Sequence, residues 1–378
     1  MKPGAPTWLV ALIACTAITC NASVSAEEGP AGITVPRVFG PFDRNAARCN
    51  PPPSLNKSLA FAQDNEREFV KGIARGLAMA AKDRGLGFSV SIANNDARKM
   101  IEQVEGFRSA VAGGLVVAPV DPVSLAPALR TMIWQGAYVG AVVPPPATSL
   151  LNAPQYLTGK TLGDAASNYI RTKLDGKANV VLLTHDSLQF LAPRFAAMRD
   201  ALKDLPGVDV VADISPPTVN KEGGYRMMQT ILLAHPDIDV VLGADTVVLG
   251  ALQAVREAGK VRPHQFFGGI DGEAEAVDEI KKGGPYKISI SLASSVFGYA
   301  MGQHAADWLD GKSIPQAMDI LPSALTAANI ARYEADLENP AAVFNDPARR
   351  DAYLRMYGNI CYDTRDQYVS FPWSSERK

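Results

Sequence analysis

The sequence predicts an α/β protein built from two Rossmann-like lobes with parallel sheets. Short strands that are apolar throughout, such as Leu115-Val116-Val117 and Val240-Val241-Leu242, alternate with helices whose apolar residues recur every three or four positions. Strands without a polar face are typical of parallel sheets that helices cover on both sides. The alternation breaks at Pro144-Pro145-Pro146 and then restarts, which indicates two lobes, each of about domain size.

Each predicted element follows from a change in the apolar pattern. The first lobe opens with an apolar run at 59–62, and a helix with an apolar stripe follows and ends at Gly85. The same alternation predicts the other elements of this lobe, which are strands at 88–92, 115–117 and 138–143 and helices at 100–111 and 123–134. In the second lobe it predicts helices at 162–174, 195–205, 225–233, 248–255 and 274–280, and strands at 180–183, 208–212, 240–242, 266–270 and 288–292.

Length and composition are those of an ordinary globular protein with room for two domains. The chain has 378 residues, of which 47% are hydrophobic and 20% are charged, and its formal net charge is -2. This balance gives no sign of a nucleic-acid partner, an acidic membrane surface as partner or a disordered tail.

The amino terminus has the pattern of a secretory signal peptide. Lys2 precedes the apolar run Trp8-Leu9-Val10-Ala11-Leu12-Ile13-Ala14, and the small residues that end at Val24-Ser25-Ala26 resemble a cleavage site. We therefore expect residues 1–26 to be removed on export. A lipoprotein signal is the alternative, because Leu12-Ile13-Ala14-Cys15 loosely fits a lipobox, but it would leave a very short apolar region.

The sequence contains four cysteines, and two of them remain after export. Cys15 and Cys20 leave with the signal peptide, whereas Cys49 and Cys361 lie near the two ends of the mature chain. Thiols that remain in an oxidising compartment tend to pair. We predict a Cys49–Cys361 disulfide that ties the two terminal segments together, with two separate thiols as the alternative.

Several polar residues follow directly after predicted strands. Ligands of open α/β sheets bind outside the carboxyl ends of the strands. This rule places the carboxylates of Asp121, Asp245 and Asp271 toward a ligand cleft. Three further residues that follow strands are expected there as well, namely Gln63, Asp64 and His185.

Four short stretches carry a family resemblance. They are LVVAPVD at 115–121, TGK at 158–160 with GD at 163–164, AHPD at 234–237 with Asp245 and LGAL at 249–252, and GIDG at 269–272. Over roughly 55–320 the sequence resembles the periplasmic sugar-binding proteins of the ribose/galactose type, which are the soluble receptors of ABC importers. The order and spacing of the stretches, behind a signal peptide, make the resemblance fairly specific.

The resemblance implies three hinge crossovers between the lobes, with the ligand cleft between them. The crossovers are expected near Val143, near Ala293 and near 320–326, and hinge motion would close the lobes over the ligand.

With these crossovers the chain divides into five segments. We expect, in order along the chain, a signal peptide at 1–26, an N-terminal arm at 27–54, an N-terminal lobe at 55–143 plus 293–322, a C-terminal lobe at 144–292 and a C-terminal extension at 323–378. The aromatic residues of the extension suggest that it packs back on the body.

The resemblance also implies ligand-binding residues, position by position. Asp121 and Asp271 match acids that bind sugar hydroxyls in the family, and Phe69 matches an aromatic ring that stacks on the sugar. Asp245 matches an acid at a strand end, although the neighbouring family Asn is Ala244 here.

This sequence departs from the family pattern at three places. Arg67 stands where the family has Asn, Leu292 where it has the hinge Gln, and Ala192 with Arg194 where it has an Arg pair. Arg67 and Arg194 could therefore serve an anionic group, since a guanidinium pairs well with carboxylates and phosphates.

The candidate residues also have structural explanations. The three acids after strands adjoin predicted helices, where Asp is favoured as an N-cap. Phe69 lies on the apolar stripe of its helix, and Arg67 stands between Glu66 and Glu68 as an exposed arginine could.

Motifs for catalysis are absent from the sequence. The four histidines lack metal-ligand spacing, and no nucleophile elbow, phosphate-binding loop or dinucleotide motif occurs.

We expect no enzyme activity, no cofactor and no metal, but a monomeric receptor that delivers a sugar, polyol or sugar acid to the membrane permease of an ABC importer. The alternative is a sensory or adaptor protein that binds a non-sugar ligand and docks on a membrane receptor.

Overall fold

The computed structural model describes residues 1, 32–142, 146–186 and 188–376. The predicted signal peptide lies outside the described residues apart from Met1, and so does Val143, near which the first crossover is expected. In the described part of the chain, the strands form two mostly parallel sheets flanked by helices, which confirms the predicted two-lobe α/β fold. None of the described helices is long and apolar enough to cross a membrane.

The N-terminal sheet is built mainly from the first part of the chain. Its elements are β1 (Asn56–Gln63), α1 (Glu68–Asp83), β2 (Gly87–Ile92), α2 (Ala97–Ser109), β3 (Ala112–Val117), α3 (Pro122–Trp134), β4 (Tyr138–Val142) and β5 (Ser149–Asn152). The pairs β1–β2, β1–β3, β3–β4 and β4–β5 are all parallel.

The first crossover lies about ten residues later than the sequence predicts. Residues 149–152 were assigned to the C-terminal lobe, but β5 pairs with β4, so the chain leaves this lobe only at 153–154. The proline run suggests a boundary because Pro has no N–H for a strand ladder. The sheet nevertheless resumes beyond it, since Leu150 and Leu151 are buried in the core of the N-terminal lobe.

The C-terminal lobe contains the longer alternation. Its elements are α4 (Gln155–Lys173), β6 (Lys177–Leu183), α5 (Ala192–Leu202), β7 (Gly207–Ile214), α6 (Lys221–Ala234), β8 (Val240–Gly243), α7 (Asp245–Glu257), β9 (Phe266–Asp271), α8 (Ala274–Lys281) and β10 (Tyr286–Ser291). Among the described strands of this lobe, β10, β9, β8, β6 and β7 are neighbours in that order and run parallel.

The chain then crosses between the lobes three more times, the last time after it leaves the C-terminal sheet to form the extension. The helix α9 (Ser294–Leu309) packs on α1, and β11 (Ala317–Ile320) runs parallel to β5, so both belong to the N-terminal lobe. The strand β12 (Ser323–Leu325) pairs antiparallel with β10 in the C-terminal sheet. These memberships place the second and third crossovers at 292–293 and 321–322.

The C-terminal extension packs back on the N-terminal lobe. It contains α10 (Ile330–Glu338), α11 (Pro340–Asn345), α12 (Pro347–Tyr353), β13 (Leu354–Tyr357) and a 3-10 helix, Tyr362–Gln367. The strand β13 pairs antiparallel with β11 and forms one edge of the N-terminal sheet. Aromatic side chains of the extension are buried against the lobe, including Tyr353, Tyr368 and Trp373.

The predicted disulfide between Cys49 and Cys361 is present and joins the arm to the extension. It links positions that are 312 residues apart. The backbone N–H of Cys49 also donates a 2.8 Å hydrogen bond to the carbonyl of Gly311, just beyond α9. The bridge therefore fastens both terminal segments to the N-terminal lobe.

We predict that replacing both cysteines by serine (Cys49→Ser with Cys361→Ser) lowers the free energy of unfolding by about 2–4 kcal/mol, because the bridge closes a long loop in the unfolded chain. Denaturant unfolding with and without a reductant measures this effect. Reduction should leave the double variant unchanged. If reduction leaves the unfolding midpoint of the native chain unchanged as well, packing alone holds the termini.

Candidate functional site

Charged side chains of both lobes meet at the carboxyl ends of the parallel strands. The loop between β1 and α1 supplies Asp64 and Arg67 from the N-terminal lobe, while β9 ends at Asp271 in the C-terminal lobe. Arg194 of α5 approaches from the same lobe, and its Nη1 lies 3.8 Å from Oδ1 of Asp271. Burial raises the pKa of Asp271, and the positive charges of Arg194 and Arg67 counteract this shift, so side chains of both lobes act on this carboxylate.

Asp271 combines backbone strain with access to solvent. Its φ of 120° is rare for a residue with a side chain, and strained residues of this kind concentrate at functional sites. Burial raises the pKa of its carboxyl, whereas the charges of the two arginines lower it. The side chain nevertheless keeps 42% of its surface accessible, so a molecule outside the lobe can reach the carboxylate.

Arg194 is a buried arginine whose position is set by α4. Only 8% of its side chain is exposed, and its Nε donates a 2.9 Å hydrogen bond to Oε1 of Gln155. Burial lowers the pKa of Arg194, and the charge of Asp271 counteracts this effect. The helices α4 and α5 approach closely at Gly159, where a Cβ would lie 1.8 Å from the carbonyl oxygen of Arg194. The guanidinium is therefore held toward Asp271.

Arg67 is exposed but already has protein partners. It forms an ion pair with Asp64, and its Nε donates a 3.1 Å hydrogen bond to Oδ1 of Asn65. Asp64 also accepts the backbone N–H of Asn65 at 2.8 Å. Both arginines at the cleft are thus matched with a carboxylate.

The structure places Asp245 inside the C-terminal lobe, behind the cleft. Its exposure is 0%, and within the described residues its carboxylate accepts hydrogen bonds from the Tyr286 hydroxyl (2.7 Å), the Ser289 hydroxyl (2.6 Å) and the backbone N–H of Glu273 (2.8 Å). It makes no capping bond to its own helix, α7, whose N-cap is Ala244. Burial raises the pKa of Asp245 to about 6. Its contacts hold the loop that follows Asp271.

The remaining predicted residues lie around this group. Asp121 caps α3 by accepting the N–H of Val123 at 3.0 Å, and Phe69 is half-buried against the core of the N-terminal lobe. Gln63 is buried and donates to the carbonyl of Asn65 at 2.9 Å. The Nδ1 of His185 is buried and has no hydrogen-bond partner in the described part of the chain. The ligand roles of these residues stay predictions.

Two residues near the cleft were not predicted from the sequence. Asn65 joins two loops of the N-terminal lobe, because its Nδ2 donates to Oδ1 of Asn95 at 3.0 Å. Burial, together with the charges of Asp245 and Asp271, raises the pKa of Glu273 to about 7. Each of these residues adjoins or nearly adjoins a predicted one in sequence, so the strand-end rule could have found them if it had been extended by two residues.

Two hinged α/β lobes with a polar cleft between them define a class of small-molecule receptors. This chain belongs to the periplasmic binding proteins, since the family model described as "Periplasmic binding protein domain" matches residues 59–313. Within the described residues, no group of three or more side chains is arranged to hold a metal ion.

Curated relatives of this chain are solute-binding proteins. The ribose import binding protein of Bacillus subtilis is 26% identical over 263 residues, which cover 66% of this chain and 80% of that protein. The xylitol-binding protein of Mycolicibacterium smegmatis is 26% identical over 285 residues, covering 73% of this chain and 79% of that protein.

Solved structures share the fold. A solute binding protein of an ABC transporter from Bacillus halodurans, with bound myo-inositol, has a TM-score of 0.63 and 21% identity, covering 75% of this chain and 98% of that chain. A periplasmic ribose ABC transporter protein from Conexibacter woesei has a TM-score of 0.64 and 19% identity, covering 79% of this chain and 98% of that chain. The segment beyond residue 313, which includes the extension, lies outside the family match.

We predict that stability falls as pH rises from about 4.5 to 7, in part because of Glu273. The folded protein keeps the Glu273 proton up to its pKa of about 7, whereas the unfolded chain loses it near the ordinary glutamate pKa. The unfolded state therefore binds fewer protons in this window, and rising pH favours unfolding. Over this pH range, Glu273→Gln should reduce the loss of unfolding free energy by about 1–2 kcal/mol, a figure lowered to account for solvent screening of this partly exposed group.

Denaturant unfolding at several pH values measures this slope. Asp278→Asn is a matched control, because Asp278 is an exposed acid on the adjoining helix α8. An identical pH slope in the native chain and in Glu273→Gln would contradict the raised pKa.

Proposed function

We propose that this protein is a periplasmic receptor that binds a neutral sugar or polyol between its lobes and passes it to the permease of an ABC importer. The strained, accessible carboxylate of Asp271, flanked by arginines from both lobes, carries the proposal. Relatives and structural neighbours that are named for ribose or xylitol binding, or that contain bound myo-inositol, support the same ligand class. Export through the signal peptide and action as a monomer are parts of this proposal.

The charge balance of the cleft favours a neutral ligand over an anionic one. Arg67 pairs with Asp64, and Arg194 lies beside Asp271. An anionic group placed between the lobes would meet the negative charge of Asp271 without an unmatched arginine to offset it. Hydroxyl groups fit this arrangement, because each can donate to a carboxylate and accept from a guanidinium.

The proposed binding mode uses charged hydrogen bonds and lobe closure. Asp271 and Asp64 would accept hydrogen bonds from ligand hydroxyls, while Arg194 and Arg67 would donate to them, and bonds to charged groups are stronger than those between neutral groups. Because the two lobes supply different members of this set, a bound ligand interacts best when both lobes contact it. Ligand therefore favours the closed arrangement that a permease can recognise.

We predict that ribose, xylitol or myo-inositol raises the melting temperature of the mature protein, residues 27–378, whereas uronic acids and sugar phosphates do not. A ligand that binds only the folded state must stabilise it. Thermal-shift measurements with this panel test the prediction. Stabilisation by the anionic sugars alone would contradict a neutral ligand.

For the neutral ligand that gives the largest shift, Asp271→Asn should weaken binding by about 30- to 100-fold, because a charged hydrogen-bond acceptor is lost. Titration calorimetry measures the change, and the surface variant Asp278→Asn is the control. Unchanged affinity in Asp271→Asn would remove this residue from the ligand contacts.

A further inference from the structure

The C-terminal extension is anchored on one lobe and makes contacts with the other. Its strand β13 belongs to the N-terminal sheet, and the disulfide joins Cys361 to the arm on the same lobe. In the described part of the chain, the extension begins with β12 in the C-terminal sheet, and from α10 onward it reaches the C-terminal lobe at two further places, near the first and the second crossover. These two places are the amino end of α4 and the carboxyl end of β10.

The first attachment is made by Glu376 at the amino end of α4. Its Oε1 accepts the backbone N–H of Leu157 at 2.7 Å, and its Oε2 accepts that of Tyr156 at 3.1 Å. The N-cap residue of this helix, Pro154, makes no side-chain capping bond. Glu376 thus satisfies amides that have no partner within the helix, and its negative charge matches the positive end of the helix dipole.

The residues just before Glu376 are held firmly on the N-terminal lobe. The ring of Trp373 is buried, with its centroid 5.1 Å from that of Tyr357 and 5.7 Å from that of Phe39. Its Nε1 donates a 3.2 Å hydrogen bond to the carbonyl of Arg37 in the N-terminal arm. The capping carboxylate therefore comes three residues after a ring that is fixed on the other lobe, so little slack separates the two.

The second attachment is made by α10, which bonds to both lobes across the second crossover. The hydroxyl of Tyr333 hydrogen-bonds that of Ser291 at the end of β10, and Glu334 forms an ion pair with Lys281 of α8. Four residues after Tyr333, the carbonyl of Leu337 accepts a 3.0 Å hydrogen bond from the hydroxyl of Ser295 on α9 in the N-terminal lobe. Ser291 is also the register partner of Asp271, so this attachment lies next to the candidate ligand site.

We propose that the C-terminal extension is an interlobe clamp, in which Glu376 and Tyr333 hold the lobes at the angle seen here and restrict their opening. Any rotation that moves α4 or β10 away from the N-terminal lobe has to break or strain these bonds. The clamp therefore adds free energy in favour of the present arrangement, and losing it shifts the population toward other lobe angles. This inference goes beyond ligand binding and does not depend on which ligand the cleft takes.

The test measures the interlobe distance in the full mature chain without ligand. Spin labels at Lys99→Cys on α2 and Lys173→Cys on α4 report it by pulsed electron resonance, with the native disulfide intact. Glu376→Ala should increase the population outside the main distance peak by about fivefold, the typical effect of losing a helix cap. Tyr333→Phe should broaden the distribution as well, and the double variant should broaden it further.

Matched variants separate a clamp from general loosening. Glu338→Ala removes an exposed glutamate of the same extension, and Tyr353→Phe removes a hydroxyl that bonds to Asp336 within the extension. Both should keep the native distance distribution. An unchanged distribution in Glu376→Ala, or equal broadening in Glu376→Ala and Glu338→Ala, would overturn the proposal. Because no ligand is present, either result leaves the proposed ligand class to be decided by its own measurements.

Discussion

One buried carboxylate organises the floor of the candidate cleft. Asp245 has no exposed surface, yet donors from β10 and from the loop after β9 converge on its oxygens. Burying a carboxylate is costly unless hydrogen bonds compensate it, so these segments are confined to one arrangement. Close packing adds to the constraint, because a Cβ at Gly269 would lie 1.8 Å from Oδ1 of Asp245. The strained residue Asp271 lies between Gly269 and Glu273, so the position of the accessible acid depends on the hidden one.

The pairing of charges at the cleft follows from the same physics. Between two lobes, water solvates a charge less well than bulk solvent does, and an unmatched arginine or carboxylate there would be costly. Arg194 is buried and lies beside Asp271, while the more exposed Arg67 pairs with Asp64. Each lobe therefore presents a matched acid and base, which suits a ligand with many hydroxyl groups and no net charge.

The fold could be predicted from the sequence because each strand and helix has its own apolar pattern. The first crossover could not, because the four residues of β5 after a proline run carry too little pattern to identify their sheet. The strand-end rule selected Asp64 and Asp271, which lie where β1 and β9 end, and their ligand roles stay predictions. The strand-end rule could not decide whether the Asp245 side chain points to the cleft or into the lobe. Its direction depends on the hydroxyl donors Tyr286 and Ser289, which lie more than forty positions away in the sequence. Local periodicity predicts elements, whereas the partners of a polar group are set by tertiary contacts.

The contacts of the extension could not be predicted from local sequence patterns either, and they have a consequence for function. Its aromatic content indicated only that it packs on the body, but Glu376 meets amides 219 and 220 positions away along the chain. Contacts over such a separation exist only when the two lobes are placed correctly, so they report on the lobe angle. In a two-lobe receptor, only molecules in the binding-competent arrangement bind ligand, so the apparent affinity decreases as the fraction of such molecules decreases. A segment that bridges the lobes outside the proposed binding residues can therefore tune binding through the lobe angle.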